Sequence, residues 1–204
     1  MQLRCSTLYT PPQHYARGRC YLMNRFSRFP FNKGLLVALS FVVALAVATP
    51  TFAQPSEPAP GFQALDMSGR AVQLSELKGC GVVLYFFATW CPYCEQMTPS
   101  VVAAHRALRK RGVVFIGINI WDDDEGVVKA YAEHHGISFS IVRQHNDAIA
   151  DAYRVSGVPT TVFISPRGTI QRVQLGWSSE KQVINLARSV AGGRNCKVSS
   201  AVLP

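Results

Sequence analysis

Two cysteines separated by two residues form the motif of this chain with the clearest chemical meaning: Trp90-Cys91-Pro92-Tyr93-Cys94. Cysteines at this spacing can close a small disulfide ring. A thiolate attacks the disulfide of another molecule, and the mixed disulfide that results is resolved by a second thiol. The sequence therefore predicts thiol-disulfide exchange, with Cys91 as the attacking cysteine and Cys94 as the resolving one.

The elements around the motif are those that such chemistry needs. A nearly continuous apolar run of strand length, Gly81 to Ala88, ends just before it, and a helix is predicted from Pro92 to Arg111. Proline suits the first helical turn, because its missing N–H would be unpaired there in any case. Cys91 then lies at the helix N-terminus, where free N–H groups and the dipole stabilise an anionic sulfur. Cys94, one turn further, is expected to be less exposed.

Two interpretations of the cysteine pair without thiol exchange stay open. It can be a structural disulfide in an exported protein, or it can supply half of a zinc site. Zinc would need two further ligands, and the close histidine pair is His134-His135. We expect these adjacent residues to point to different sides of a helix, so we predict no metal site. Haem attachment requires a histidine after the second cysteine, where Glu95 stands.

Strands alternate with helices over the rest of the folded region, which indicates an α/β sandwich with a mixed sheet. An early hairpin is predicted from Gln63 to Leu74, around Ser68-Gly69. The later predicted elements are a strand at Val113 to Asn119, a helix at Glu125 to His135, a strand at Phe139 to Val142, a helix at Asp147 to Tyr153, a hairpin with strands Thr160 to Ser165 and Thr169 to Leu175, and a helix at Ser179 to Val190.

A second motif, Gly157-Val158-Pro159-Thr160-Thr161, opens an apolar strand, where proline is confined to edges or special turns. The order of strand, Trp-Cys-x-x-Cys, helix, strand, helix, strand and Gly-Val-Pro-Thr resembles the thioredoxin fold. The early hairpin, the helical unit around Glu125 to His135 and the export signal described below are similar to the TlpA-like branch of periplasmic thiol-disulfide oxidoreductases. The resemblance covers about residues 60 to 192. It implies a three-layer sandwich with a mixed central sheet, an N-terminal hairpin and a helical insertion.

The resemblance also assigns roles around the dithiol. It implies that the Val158-Pro159 peptide is cis, lies beside Cys91 and leaves a backbone edge free for the substrate chain. Trp90 resembles the aromatic residue that flanks the nucleophile in the family, although packing under the loop is an equal alternative. The expected substrate-binding residues are Trp90, Pro92, Tyr93, Val158 and Pro159. The dithiol itself is the redox centre, and no cofactor is expected.

Two positions depart from the family pattern. Thioredoxin carries a buried acid six residues before the first cysteine, where this chain has Tyr85. TlpA-like proteins usually carry glutamate three residues after the second cysteine, where this chain has Met97. Glu95 can substitute as a base through a water molecule, but we favour an exposed helical glutamate without that role. The base that serves Cys94 therefore stays unassigned.

Other residues with chemical potential have simpler explanations. The acidic run Asp122-Asp123-Asp124-Glu125 precedes a helix, where carboxylates cap N–H groups, so we favour capping over cation binding. Cys80 lies at the far end of a strand from Cys91, about 25 Å away at roughly 3.3 Å per residue, and cannot share that site. We expect Cys80 and Cys196 to be free or incidentally paired.

The N-terminus has the layout of a secretory signal peptide. Basic residues precede an uncharged run of 15 residues, Gly34 to Ala48, and a small residue, Ala53, ends the segment. We predict cleavage after Ala53, and a start at Met23 gives the better-proportioned signal. The alternative is an uncleaved anchor, because residues 34–53 carry no charge, although the apolar run is shorter than the roughly 20 residues that span a bilayer.

The remaining boundaries follow from composition. Residues 54–61 contain three prolines and predict a tether, residues 62–192 a thioredoxin-like domain, and residues 193–204 a flexible tail.

The net charge of +9 is largely a property of the N-terminus, because all 12 acidic residues lie beyond residue 53 together with 15 of the 21 basic ones. This balance gives little support to nucleic-acid binding.

We therefore predict an exported, periplasmic or secreted monomer that reduces disulfides in other proteins. The resemblance implies that a membrane electron-donor thiol carrier recharges it. The alternatives are a thiol oxidase or isomerase, and a non-catalytic binding module. The client stays open between an apocytochrome, as in cytochrome c biogenesis, an outer-membrane protein and a conjugation component.

Overall fold

The computed structural model describes residues 57–121, 123–144, 146–192 and 196. The expected signal peptide or anchor, residues 1–53, lies outside this part of the chain, as does most of the expected tail. In the part that is described, no helix combines the length and the apolar character needed to cross a membrane.

A mixed five-stranded sheet forms the centre of the domain. Its strands are β3 (Gly81–Phe87), β4 (Val113–Asn119), β5 (Ser140–Arg143), β6 (Thr160–Ile164) and β7 (Ile170–Leu175). The order is β5-β4-β3-β6-β7, with β3, β4 and β5 parallel and β6 antiparallel to both β3 and β7. Every residue of β3 and β4 is buried, because both faces of the sheet are covered.

Four α-helices and a small hairpin complete the described part of the domain. The helices are α1 (Pro92–Leu108), α2 (Glu125–His135), α3 (Ala148–Ala152) and α4 (Glu180–Ser189), with short 3-10 helices at Leu74–Leu77 and Arg109–Arg111. The separate hairpin pairs β1 (Gln63–Leu65) with β2 (Ala71–Gln73) in antiparallel fashion.

Alternate side chains of β3 divide the core into two clusters. Val83, Tyr85 and Phe87 pack with buried residues of α1, α2 and α4. Leu84 and its alternate neighbours pack with α3 and the hairpin segment on the other face. The three-layer arrangement expected from the sequence is therefore present, and the predicted elements agree with the observed ones to within a few residues.

A disulfide joins Cys80 to Cys196, with 4.4 Å between their Cα atoms. Of the two states expected for these cysteines, free or paired, the structure shows the pair, because the chain after α4 returns to the start of β3. The amides of Gly81 and Gly192 both donate to the carbonyl of Gly112, each at 2.9 Å, and this brings the two segments together. A separation of 116 residues left no local signal for this pairing.

The folded body also begins earlier than the boundary expected at Phe62. The carbonyl of Glu57 accepts a hydrogen bond from the amide of Ile170 at 2.8 Å, and the amide of Ala59 donates to Gly168 at 2.9 Å. The hydroxyl of Tyr153 donates to the carbonyl of Pro60 at 2.8 Å. The second half of the expected tether is thus bound to the domain through its backbone, which its proline-rich composition did not indicate.

Candidate active site

The structure places both cysteines of the motif at the start of α1, directly after the sheet. Cys91 is the N-cap residue with extended backbone, Pro92 opens the helix, and the amide of Cys94 donates to the Cys91 sulfur at 3.4 Å. Both cysteines are free thiols, and Cys94 is fully buried while Cys91 is 6% exposed. The expected difference in exposure is confirmed in direction, although Cys91 itself is also largely covered.

The predicted cis peptide is present between Val158 and Pro159. The Cys91 sulfur lies 3.6 Å from the carbonyl oxygen of Val158, so the turn before β6 lies against the N-terminus of α1. Pro159 precedes β6, which lies between β3 and β7 and is not an edge strand. Of the two settings expected for a proline at the start of a strand, an edge or a special turn, Pro159 therefore occupies the special turn. The arrangement can hold an extended segment of another chain beside the sulfur.

Three hydroxyl groups next to Cys94 are linked to one another by hydrogen bonds. The Tyr85 hydroxyl donates to the carbonyl of Cys94 at 3.3 Å and lies 3.0 Å from the Thr98 hydroxyl. Thr98 donates to the same carbonyl at 2.8 Å, and the Tyr131 hydroxyl lies 2.7 Å from Thr98. We call Tyr85, Thr98 and Tyr131 the hydroxyl cluster. Thr98 follows Cys94 by one helical turn, which is the sequence signal that could have pointed to it.

Burial sets the protonation of these groups. It raises the pKa of the Cys94 thiol well above its ordinary value, and a hydrogen bond with Cys91 adds to the shift, whereas the Tyr85 hydroxyl opposes it. Burial also raises the pKa values of Tyr85 and Tyr131, so both hydroxyls keep their protons. Cys94 is therefore a thiol at neutral pH, and the Tyr85 hydroxyl beside it stays a hydrogen-bond donor.

Asp123 fixes the loop that leads into the motif. Its Oδ2 atom accepts hydrogen bonds from the amide of Thr89 and from the side chain of Asn119, both at 2.8 Å. The expected capping role is confirmed for the next residue, Asp124, which accepts from the amide of Gly126 at 2.8 Å. For the nearly buried Asp123 it is wrong, because this carboxylate turns towards the end of β4. Asp122 lies outside the described residues.

Aromatic side chains stand exposed around the cysteines. Trp90 is 63% exposed and Tyr93 is 62% exposed. Trp90 stacks on Trp121, with ring centroids 5.3 Å apart, and its exposure shows that it does not pack under the loop, whereas its contact with substrate stays a prediction. Trp121 was not a candidate from the sequence, since it comes from the loop after β4. This surface is available to a protein partner.

Glu95 pairs with both histidines at the end of α2. Nε2 of His135 lies 3.0 Å from one carboxylate oxygen, and Nε2 of His134 lies 3.7 Å from the other. The expectation that these histidines point to different sides of the helix is wrong. Successive helical residues are rotated by only about 100°, so two long side chains can reach the same neighbouring helix.

Known proteins resemble this chain in sequence. Residues 55–173 match the model of the AhpC/TSA family. Thiol-disulfide oxidoreductase ResA of Bacillus subtilis (strain 168) is 28% identical over 166 residues, covering 79% of this chain and 92% of the relative. ResA of Halalkalibacterium halodurans is 31% identical over 166 residues, covering 79% and 94%.

Solved structures share the fold. A thiol:disulfide interchange protein of the thioredoxin family from Chlorobium tepidum TLS is 26% identical, with a TM-score of 0.62 over 67% of this chain and 97% of that one. A secreted disulfide oxidoreductase from Mycobacterium tuberculosis superposes with a TM-score of 0.58 at 24% identity, over 63% and 95% of the two chains.

Proposed function

This chain belongs to the AhpC/TSA family and is a thiol-disulfide oxidoreductase of the thioredoxin fold, and from this premise we propose that it is an exported reductase of protein disulfides. The observation that carries the proposal is the position of the Cys91 sulfur. It lies at the N-terminus of α1, 3.6 Å from the Val158 carbonyl and 3.4 Å from the Cys94 amide. One sulfur thus faces both a backbone edge for substrate and a resolving cysteine.

The first step is attack by the Cys91 thiolate on one sulfur of the substrate disulfide. The substrate S–S bond breaks, its other sulfur leaves as a thiolate and takes up a proton, and a mixed disulfide links Cys91 to the substrate. The amide of Cys94 and the N-terminal turn of α1 support the anionic sulfur before attack. The exposed rings of Trp90 and Tyr93 provide contact area for the substrate protein.

The second step is attack by Cys94 on the Cys91 sulfur. Cys94 gives up its proton, a Cys91–Cys94 disulfide forms, and the second substrate thiol leaves, so the substrate gains two electrons and the enzyme loses two. Burial raises the pKa of Cys94, so the thiolate needs stabilisation at this step. The Tyr85 hydroxyl, which donates to the carbonyl of Cys94 in the structure and favours the ionised thiol, would turn its hydrogen to the sulfur at this step, in place of the glutamate that TlpA-like proteins usually carry three residues after the second cysteine.

The direction and the cell compartment complete the proposal. The resemblance to TlpA-like proteins supports reduction rather than oxidation or isomerisation, and residues 1–53 support export, with cleavage after Ala53 or retention as an anchor. A reductase in an oxidising compartment must be recharged, and a dithiol carrier in the membrane is the donor that we propose. We propose that the enzyme acts as a monomer.

Redox equilibration tests the direction. The protein is incubated in dithiothreitol or glutathione buffers of graded potential, and the fraction of Cys91–Cys94 disulfide is read by alkylation and mass spectrometry. We expect a potential near the roughly −270 mV of thioredoxin, and a value near the roughly −120 mV of DsbA would support the oxidase alternative. Cys91→Ser is the control that removes the couple without touching Cys80–Cys196.

A further inference from the structure

Glu95, His134 and His135 form a cluster that thiol exchange does not use. Glu95 comes from α1, directly after the resolving cysteine, and the two histidines end α2. One ligating atom from each residue lies within 4.8 Å of the other two. Two imidazoles and a carboxylate, offered by two helices, constitute a donor set that zinc and related late transition metals prefer.

The distances suit such an ion. Ligating atoms about 2.0–2.2 Å from a tetrahedral zinc lie about 3.3 Å from one another. The Nε2 atoms of His135 and His134 lie 3.0 Å and 3.7 Å from the two oxygens of Glu95, on either side of that value. The side chain of His134 is 73% exposed and that of Glu95 is 48% exposed, so small rotations can bring their atoms to the ion.

His135 supplies the second observation. Its side chain is only 6% exposed, and its buried Nε2 makes no hydrogen bond to any residue in the described part of the chain. The nearby Glu95 oxygen is close but is not aligned as a hydrogen-bond acceptor. A buried, unpartnered nitrogen is costly to maintain, whereas a metal ion beside it would engage its lone pair.

We propose that Glu95, His134 and His135 bind one divalent zinc-class ion at the surface between α1 and α2. Three protein ligands leave the fourth position to water, which is an open site. Glu95 and His134 provide the entry path, because they form the exposed side of the cluster. The site is separate from the dithiol chemistry and needs neither cysteine as a ligand.

The test is zinc titration of the full chain without a polyhistidine tag. The protein is first oxidised, so that Cys91 and Cys94 are closed in a disulfide and cannot bind metal. Calorimetry with zinc chloride should show one ion per chain, and Co²⁺ should give the visible absorption of a four-coordinate site. Glu95→Gln and His134→Gln should each weaken zinc binding by about tenfold or more, since each removes a ligand.

Glu133→Gln is the matched control, because it removes one carboxylate charge from an exposed position on α2, the helix that carries both histidines. It should bind zinc as the unaltered chain does. Glu95 and His134 are exposed enough for substitution without loss of the fold, which circular dichroism checks. Absence of zinc binding to the oxidised chain, or equal affinity in Glu95→Gln and Glu133→Gln, would overturn the proposal and leave an ordinary histidine–glutamate ion pair.

Discussion

The sulfur of Cys91 lies 3.6 Å from the carbonyl oxygen of Val158, although 67 residues separate them in the chain. Cys91 is only 6% exposed, so little of this residue is open to a substrate sulfur. The Cys91 thiol donates to this carbonyl, so a substrate segment that pairs with the backbone before Pro159 would replace that contact and lie beside the sulfur. We therefore expect a substrate segment to bind in an extended conformation beside the sulfur.

Tyr85→Phe should slow the resolving step by about tenfold or more, because a hydrogen bond to a charged group contributes roughly 1.5–3 kcal/mol. Tyr131→Phe is the matched control, since its hydroxyl contacts Thr98 rather than the cysteine. Rapid-quench measurement of the decay of a preformed Cys91 mixed disulfide isolates this step. Equal rates in the two variants would remove Tyr85 from the mechanism.

Asp123→Asn should lower the free energy of unfolding by about 1–3 kcal/mol and slow exchange, because the charged acceptor shared by Thr89 and Asn119 is lost. Asp124→Asn should change neither quantity much, since asparagine is also a good N-cap. Urea unfolding and exchange rates are measured on both variants. If Asp123→Asn keeps full stability, the carboxylate does not fix the loop before the motif.

Removal of the Cys80–Cys196 disulfide should lower the free energy of unfolding by about 2–4 kcal/mol, because the bond closes a long loop. The variant that removes it carries Cys80→Ala and Cys196→Ser. The exchange rate should not change, since Cys80 precedes β3 whereas Cys91 follows it. Denaturant titration and an exchange assay measure the two effects. A large loss of exchange in the folded variant would show that this bond takes part in the redox chemistry.

His105 should make the domain less stable in mild acid. Burial lowers the pKa of His105 to about 4, and the charges of Arg109 and Arg106 add to the shift from the ordinary 6.5. As pH falls from 6.5 to 4, the unfolded chain binds a proton that the folded chain does not, so stability decreases. The loss between pH 7 and 4.5 should be about 2 kcal/mol.

His105→Leu should abolish most of this loss, and urea unfolding at the two pH values measures it. Asp66 does not interfere, because its effect falls in a lower window. Burial alone would raise the pKa of Asp66, but hydrogen bonds from Ser68 and Arg70 lower it to about 2 from 3.8, so its contribution is lost between those values. An unchanged pH dependence in His105→Leu would contradict the assignment.

Most of the fold could be predicted because its signals are local. The two central strands are continuous apolar runs, and the prediction of β4 at Val113–Asn119 and of α2 at Glu125–His135 is confirmed. The docking of residues 57–60 and the Cys80–Cys196 bond were missed, since they depend on backbone pairing and on segments that meet only in the folded chain.

The residues of the site also fall into those with a local sequence signal and those without one. Cys91, Cys94 and the cis peptide at Pro159 were accessible through motifs, and the structure brings them together. Tyr131 and Asp123 were not, because nothing in their neighbouring sequence marks them as partners of the motif. Their roles follow from the packing of α2 against α1 and of the loop after β4 against the loop before α1, which periodicity alone does not specify.

Capture of clients by Cys94→Ser tests the central claim most directly. In its own host this variant should accumulate proteins bound to Cys91 through disulfides, which reductant releases and mass spectrometry identifies, because attack is kept while resolution is lost. Cys91→Ser should capture none, since serine supplies almost no anion to attack a disulfide. If the two variants behave alike and neither captures a protein, Cys91 is not the nucleophile, and the account of this site as a protein-disulfide reductase is contradicted.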